Sequence, residues 1–247
     1  MSLNDSQRLM YFMTAPQECA YLPERTTVQR LADPYQPLTT TIYSQLMARG
    51  FRRSGCYIYR PDCPGCNACV PARLGVDAFR PDRSQRRNWR LNQDLLWEVH
   101  APYESDELRD LYQRYLAHRH PGGGMDEPGE EGFLHFLTCR WYETRFLELR
   151  EPGGRLLGVA ITDILDNALS AVYTFFEPEL PKRGLGTYAV LAQLELTRTM
   201  GLEYLYLGYW IRELPKMAYK ARFRPLEIRR DGRWQRLDES GSGGDWL

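Results

Sequence analysis

Residues 144–210 carry the pattern that most restricts the architecture. Three strand-like runs, TRFLELRE, RLLGVAITDIL and ALSAVYTFFEP, are joined by EPGG and by DN, both good turn sequences. That order predicts an antiparallel meander. KRGLGTYAVLAQLELTRTMG then reads as a helix closed by Gly201, and the apolar run EYLYLGYW reads as another strand. A helix between two strands makes a crossover unit. The second half of the chain therefore predicts an α+β fold with a mixed sheet.

The first hundred residues differ. They are rich in Pro, Arg and Cys, with short apolar runs such as CYIYR at 56–60 that suggest brief strands. Tyr43, Leu46 and Met47 follow a helical rhythm ended by Gly50, and Leu108, Leu111, Tyr112, Tyr115 and Leu116 mark an amphipathic helix within 104–119. HPGGGMDEPGEEG at 120–132 breaks that helix and reads either as a lid or as a surface excursion. RFRPLEIRRDGRWQRL predicts a hairpin turning at Asp231-Gly232, and 238–247 a disordered tail. At 247 residues the chain is long enough for two domains, expected here at 1–100 and 101–237.

Charge narrows the partners. Thirty-two basic side chains balance 32 acidic ones, so any polyanion site must be local. RPDRSQRRNWR supplies one: Arg80, Arg83, Arg86, Arg87 and Arg90 fall within eleven residues, with Trp89 among them and only Asp82 opposing. Arginine forks match phosphate oxygens and stack on bases, so RNA is a natural partner; a solvated helix face paired with distant acids is the alternative. Arg52 and Arg53 form a second basic pair. No window approaches the roughly 18 apolar residues of a membrane span, and MSLNDSQRLMYFM lacks the pattern of a secretion signal, so a cytoplasmic location is expected.

Six cysteines without a secretion signal argue against a disulfide framework and for metal binding. Cys63, Cys66 and Cys69 lie three residues apart around Pro64, Gly65 and Asn67, which favour a tight loop that turns the thiols inward. Thiolates suit zinc or an iron–sulfur cluster and call for a fourth ligand, with Cys19 and Cys56 available. Free or redox-active structural thiols are the alternative. Cys139, in FLTCRWYE, reads as a packing residue. In KRGLGT, Arg183, Gly184 and Gly186 precede a helix N-terminus, where backbone amides can meet a phosphate. This loop resembles the pyrophosphate loop of GNAT acyltransferases, shortened between the basic side chain and the first glycine.

GFRRSGCYIYRPDCPGCNACVPARL, RPDRSQRR, SAVYTFFEP, LGTYAVL and YLYLGYWIRELPKMAYKARFRPLE together resemble the bacterial aspartate/glutamate leucyltransferases, which look like relatives of the eukaryotic arginyl-tRNA-protein transferases. The similarity spans about residues 15–227. It implies a small Cys-containing N-terminal domain and a GNAT-like acyltransferase domain. It also implies transfer of leucine from leucyl-tRNA to the N-terminal amine of proteins that begin with Asp or Glu, marking them for degradation. In the eukaryotic relatives, a CxxC near the N-terminus and a Cys pair are proposed to hold a cluster or metal. Cys19 matches the first region here, while Tyr21 and Leu22 stand where a second thiol is expected. The implied quartet is Cys19, Cys63, Cys66 and Cys69.

The acyl donor is then an activated ester and the acceptor an amine of pKa about 8, so positioning and oxyanion stabilisation should dominate, with no cofactor needed for the transfer itself. On this reading Asp163 is a candidate proton relay and Tyr209 an oxyanion donor. Lys216, Tyr219, Lys220 and Arg222 are candidates for the acceptor carboxylate or the tRNA terminal phosphates. Arg52, Arg53, Arg83, Arg86 and Arg87 are candidates for tRNA. The rivals are an arginyl-tRNA-protein transferase, an acyl-CoA-dependent GNAT acetyltransferase, and a non-catalytic metal- and RNA-binding module.

Overall fold

The computed structural model describes residues 9–36, 38–119 and 137–237. The expected lid at 120–132 and tail at 238–247 lie outside these residues. In chain order the strands are β1 (Tyr11–Met13), β2 (Gln17–Glu18), β3 (Thr26–Thr27), β4 (Gln29–Ala32), β5 (Arg52–Ser54), β6 (Tyr57–Pro61), β7 (Val70–Gly75), β8 (Leu96–His100), β9 (Glu143–Arg150), β10 (Leu156–Ile164), β11 (Ala168–Phe176), β12 (Tyr204–Trp210), β13 (Leu226–Arg230) and β14 (Arg233–Arg236). The helices are α1 (Thr40–Ala48), α2 (Arg83–Leu91), α3 (Asp106–Arg119), α4 (Leu185–Thr199) and the short α5 (Pro215–Ala218).

An eight-stranded mixed sheet in the order β14-β13-β7-β12-β11-β10-β9-β8 forms the frame. The meander is β9-β10-β11, and α4 carries the chain to β12, which lies parallel to β11; the other neighbouring pairs are antiparallel. β10 reads as a nearly unbroken apolar run because helices cover both its faces. Val159 and Ile161 pack with Leu108, Leu111 and Tyr112 of α3. Leu157 and Ala160 pack with Leu185, Tyr188, Ala189 and Ala192 of α4. The end of α4 is fixed by Gly201 in a left-handed conformation, with the Leu202 amide reaching back to Thr197 O.

The described residues on both sides of the boundary expected after residue 100 share this sheet. β7 sits between β12 and β13, and β8 forms the edge beside β9. The N-terminal half also holds a four-stranded sheet, β1-β4-β6-β5, a two-stranded one, β2-β3, and the helices α1 and α2. α1 begins at Thr39, whose hydroxyl caps Ile42 N, and packs Tyr43, Leu46 and Met47 against Ala168 and Tyr206 of the large sheet and Leu165 of the β10–β11 turn.

Three expectations about the cysteines are corrected: the argument against a disulfide, the reading of Cys139 as a packing residue alone, and Cys56 as an available ligand. Cys56 and Cys139 form a disulfide that joins the β5–β6 turn to the segment entering β9. Their 83-residue separation hides the pairing from spacing arguments, and it removes Cys56 from the potential fourth ligands. No described helix is long and apolar enough to cross a membrane.

Candidate active site

The pairing of β11 with β12 ends at Ser170 opposite Tyr206, while the two strands continue to Phe176 and Trp210. The strands therefore part, and Ala171 to Thr174 beyond that point are only half-buried. Arg52 of β5, Tyr59 of β6, Tyr209 of β12 and, after β12, Tyr219 and Lys220 gather beside this gap: Arg52 bonds Ala171 O, Tyr59 packs near Tyr209, and Lys220 bonds Tyr209 O. The Arg52 charge acts on each of the three tyrosines and on Lys220.

Arg52 and Arg53 are both buried, at 9% and 6% exposure, which withdraws them from the tRNA-binding face. Strand alternation sends them to different partners. Arg53 meets Asp163: Nε lies 2.5 Å from Oδ2 and Nη2 2.7 Å from Oδ1. Asp163 also accepts hydrogen bonds from Tyr43 Oη at 2.7 Å and Thr144 Oγ1 at 2.7 Å. Four donors saturate the carboxylate, so Asp163 ties α1, β5, β9 and β10 together and has no free lone pair with which to relay a proton.

Tyr209 is likewise committed. Its hydroxyl donates to Gly50 O at 3.0 Å and lies 3.3 Å from Tyr59 O, and burial raises its pKa well above the usual phenol value. It fastens the turn after α1 instead of pointing a free donor at an oxyanion. Lys216 is exposed and donates to Arg119 O at the end of α3, a helix-capping role. Tyr219 is part-exposed beside the gap. Lys220 is buried, and its Nζ donates to Tyr209 O at 2.5 Å with Met217 Sδ at 3.3 Å. Burial and the Arg52 charge push its pKa down to about 7.

Arg83, Arg86 and Arg87 do form an exposed face on α2. Asp82, the acid in that sequence, is spent as the helix N-cap in a capping box with Gln85. Among the described residues none of Arg83, Arg86, Arg87 and Arg90 has an acidic partner within 4.0 Å. Gln85 Nε2 bonds Arg222 O, which ties the backbone at the exposed Arg222 to α2. The opposite side of α2 is anchored by Trp89 against Trp97 and Tyr188.

The same helix fills the glycine loop. Asn88 Nδ2 donates to Arg183 O and Gly184 O, and a Cβ at Gly184 would lie 2.7 Å from that nitrogen. A Cβ at Gly186 would meet the Phe176 ring at 3.0 Å, and Arg183 is paired with Asp94 and bonded to Asn92. The glycines admit close packing of α2 and β11, and the loop holds no open phosphate cradle.

Cys19, Cys63, Cys66 and Cys69 are free thiols of intermediate exposure. Burial, reinforced by the charges of the other three, pushes the Cys69 thiol up to about 12, so Cys69 lies within electrostatic reach of each of them. Arg25 Nη1 donates to Cys66 Sγ at 3.2 Å, and Cys63 Sγ lies 3.5 Å from Val28 O. In ligand type and number the quartet fits a thiolate-bound metal or cluster. Among the described residues no three of its sulfurs lie within 4.8 Å of one another, against the spacing of about 3.8 Å set by tetrahedral zinc with Zn–S near 2.3 Å. The group of three potential ligands found within 4.8 Å of one another among the described residues is instead Glu98, His100 and Glu148. Arg150 and the Tyr103 hydroxyl already occupy Glu148 there.

Sequence reasoning missed the burial of Arg52 at the parting strands. Gly208, isolated within the apolar run LGYW, was the available signal, because a lone strand glycine marks a bulge or a close approach.

Two family models match the chain: arginine-tRNA-protein transferase, N terminus, over residues 17–87, and arginine-tRNA-protein transferase, C terminus, over residues 107–230. An aspartate/glutamate leucyltransferase of Alcanivorax borkumensis is 47% identical over 98% of this chain and 100% of that protein. The proteins of the same name from Nitrosococcus oceani and Pseudomonas fluorescens are each 46% identical, over 93% and 94% of this chain and 97% and 98% of their own lengths. Among solved structures, FemX is similar over 84% of this chain and 81% of its own, with a TM-score of 0.46 and 8% identity.

Proposed function

The chain belongs to the aspartate/glutamate leucyltransferases of the arginine-tRNA-protein transferase family, and from that membership we propose how its residues carry out the reaction. It is an aminoacyltransferase that moves leucine from leucyl-tRNA to the N-terminal amine of a protein beginning with Asp or Glu, feeding the N-degron route to degradation. The observation that carries this reading is 44–47% identity to leucyltransferases over almost the whole chain.

The meander β9-β10-β11, followed by α4 and the parallel β12, supports a GNAT-like reading of the catalytic half. Leucyl-tRNA docks its phosphates on the unopposed arginines of α2, with Arg222 extending that face. The acceptor N-terminus enters the gap between β11 and β12. Its neutral amine attacks the ester carbonyl; a C–N bond forms, the bond to the ribose oxygen breaks, and the amine proton passes to solvent or to the leaving ribose. At a reference pKa of about 8 a useful fraction of the amine is neutral at cytoplasmic pH, so alignment of the reactants supplies most of the acceleration. No cofactor enters the transfer. Cys19, Cys63, Cys66 and Cys69 would hold zinc or an iron–sulfur cluster whose contribution is to brace the Cys-containing N-terminal region.

The test is incubation of purified protein with labelled leucyl-tRNA, arginyl-tRNA or acetyl-CoA and an Asp-initiated peptide. Label should pass from leucyl-tRNA alone. Transfer from arginyl-tRNA instead would reassign the donor, and acetylation without aminoacyl transfer would overturn the reading.

A further inference from the structure

Arg52 and Arg53 are adjacent and equally buried, yet only Arg53 has a counter-charge. Arg52 Nη1 donates to Ser170 Oγ at 3.1 Å and Nη2 to Ala171 O at 2.5 Å, both neutral acceptors on β11. Among the described residues no carboxylate lies within 4.0 Å of it. The two acceptors occupy two of the five guanidinium N–H groups, so the rest of the fork is uncommitted. Its position is at the gap, because Ser170 is the last residue of β11 to pair with β12.

β12 is shaped to admit this side chain. Its register with β7 shifts between Tyr206 and Gly208, and Gly208 has φ +83. A Cβ at Gly208 would approach Nη2, Cζ and Nε of Arg52 at 3.3–3.4 Å, so the guanidinium lies flat against a residue with no side chain. Lys220 adds a second buried cation on the adjacent Tyr209 carbonyl, also with no carboxylate within 4.0 Å among the described residues. A buried cation without an acid is costly unless a ligand brings the negative charge, and the lowering of the Lys220 pKa to about 7 reflects that cost.

We propose that Arg52, assisted by Lys220, binds the side-chain carboxylate of the acceptor's N-terminal Asp or Glu where β11 and β12 part, and so sets the acidic specificity of the transferase. The assignment rests on the leucyltransferase reading. A carboxylate on a short aliphatic stem can reach a buried fork and meet it with two parallel hydrogen bonds. A tRNA phosphate would have to bring its flanking sugars into the same space, and the exposed arginines of α2 already offer phosphates a face.

The experiment compares the unaltered protein, R52Q and R52K on peptides that differ only in an N-terminal Asp or Asn, at saturating leucyl-tRNA. R52Q should lower kcat/KM for the Asp peptide about 10- to 100-fold, the loss expected for hydrogen bonds to a charged group. The Asn peptide and leucyl-tRNA affinity should change less than about threefold on the same ground. R52K should recover part of the Asp preference. Equal losses on both peptides with weaker leucyl-tRNA binding would assign Arg52 to phosphate and overturn the proposal, as would an Asp preference left intact in R52Q. Should R52Q fail to fold, an Asp-initiated peptide with a photoreactive second residue decides the matter on the unaltered chain. Adducts should fall on the segments bearing Arg52, Ala171, Tyr209 or Lys220, and adducts confined to other segments would refute it. Absence of leucine transfer by the unaltered protein to any peptide would reject the leucyltransferase reading itself, a separate outcome.

Discussion

Replacing Asp163 by Asn separates a structural tie from a proton relay. The carboxylate accepts four hydrogen bonds in a site where the Arg53 and Asp163 side chains are 1% and 0% exposed. An amide keeps the volume but presents an NH2 group to two of those donors and strips the guanidinium of its counter-charge. Removing one member of a buried ion pair costs about 3–5 kcal/mol. At roughly 2–4 °C per kcal/mol for a chain of this size, D163N should melt about 6–20 °C below the parent. The double variant R53M/D163L removes both charges and should recover much of that loss. Circular-dichroism melts give the stability, and leucine transfer assayed below both transitions gives the activity, which should persist in the double variant. A D163N protein that melts with the parent but has lost transfer would return Asp163 to the chemistry and refute the tie.

On α2, Arg86→Ala and Arg87→Ala should each weaken leucyl-tRNA binding and flatten the plot of log K against log salt by about 0.7–0.9, as fewer counterions are released; an unchanged slope would exclude these contacts. Lys220 holds its proton up to pH 10.5 when unfolded but only to about 7 when buried. Stability should therefore rise between those values, and below pH 7 the buried charge costs about 5 kcal/mol. K220M should stabilise most below pH 7 and progressively less toward pH 10.5, and a pH-independent gain in denaturant titrations would reject this account. Reduction of Cys56–Cys139, which closes an 83-residue separation, should cost about 4 kcal/mol. C56S should melt as low as the reduced parent and ignore reductant, and a parent melt indifferent to reductant would exclude the bond in solution.

The features legible in the sequence were those with local causes. β9, β10 and β11 were marked by apolar runs and turn residues, the end of α4 by Gly201, and the β13–β14 hairpin by Asp231-Gly232, and these elements formed as expected. The arginines of α2 stand out in the sequence as a basic cluster, whereas the use of Asp82 as a cap depends on where the helix begins. Spacing marks Cys63, Cys66 and Cys69, while Cys19 joins them only through the family resemblance. Burial of Arg52 and Arg53 was not visible, because their partners Ser170, Ala171 and Asp163 lie more than a hundred positions along the chain. The Cys56–Cys139 bond is hidden by its separation of 83 positions. The glycines of KRGLGT misled because Asn88 and Phe176, which occupy the space beside them, come from other elements.

β7 has a consequence for biosynthesis. It leaves the ribosome early, yet both its neighbours, at 204–210 and 226–228, are translated near the end. Until then its hydrogen-bonding edges have no native strand to meet, and pairings this distant close slowly. The nascent chain must keep an apolar ribbon waiting through most of its synthesis, exposed to chaperones and to mispairing with other chains. Cutting the gene between its two family-matched regions should therefore yield insoluble fragments, each lacking the other's strands.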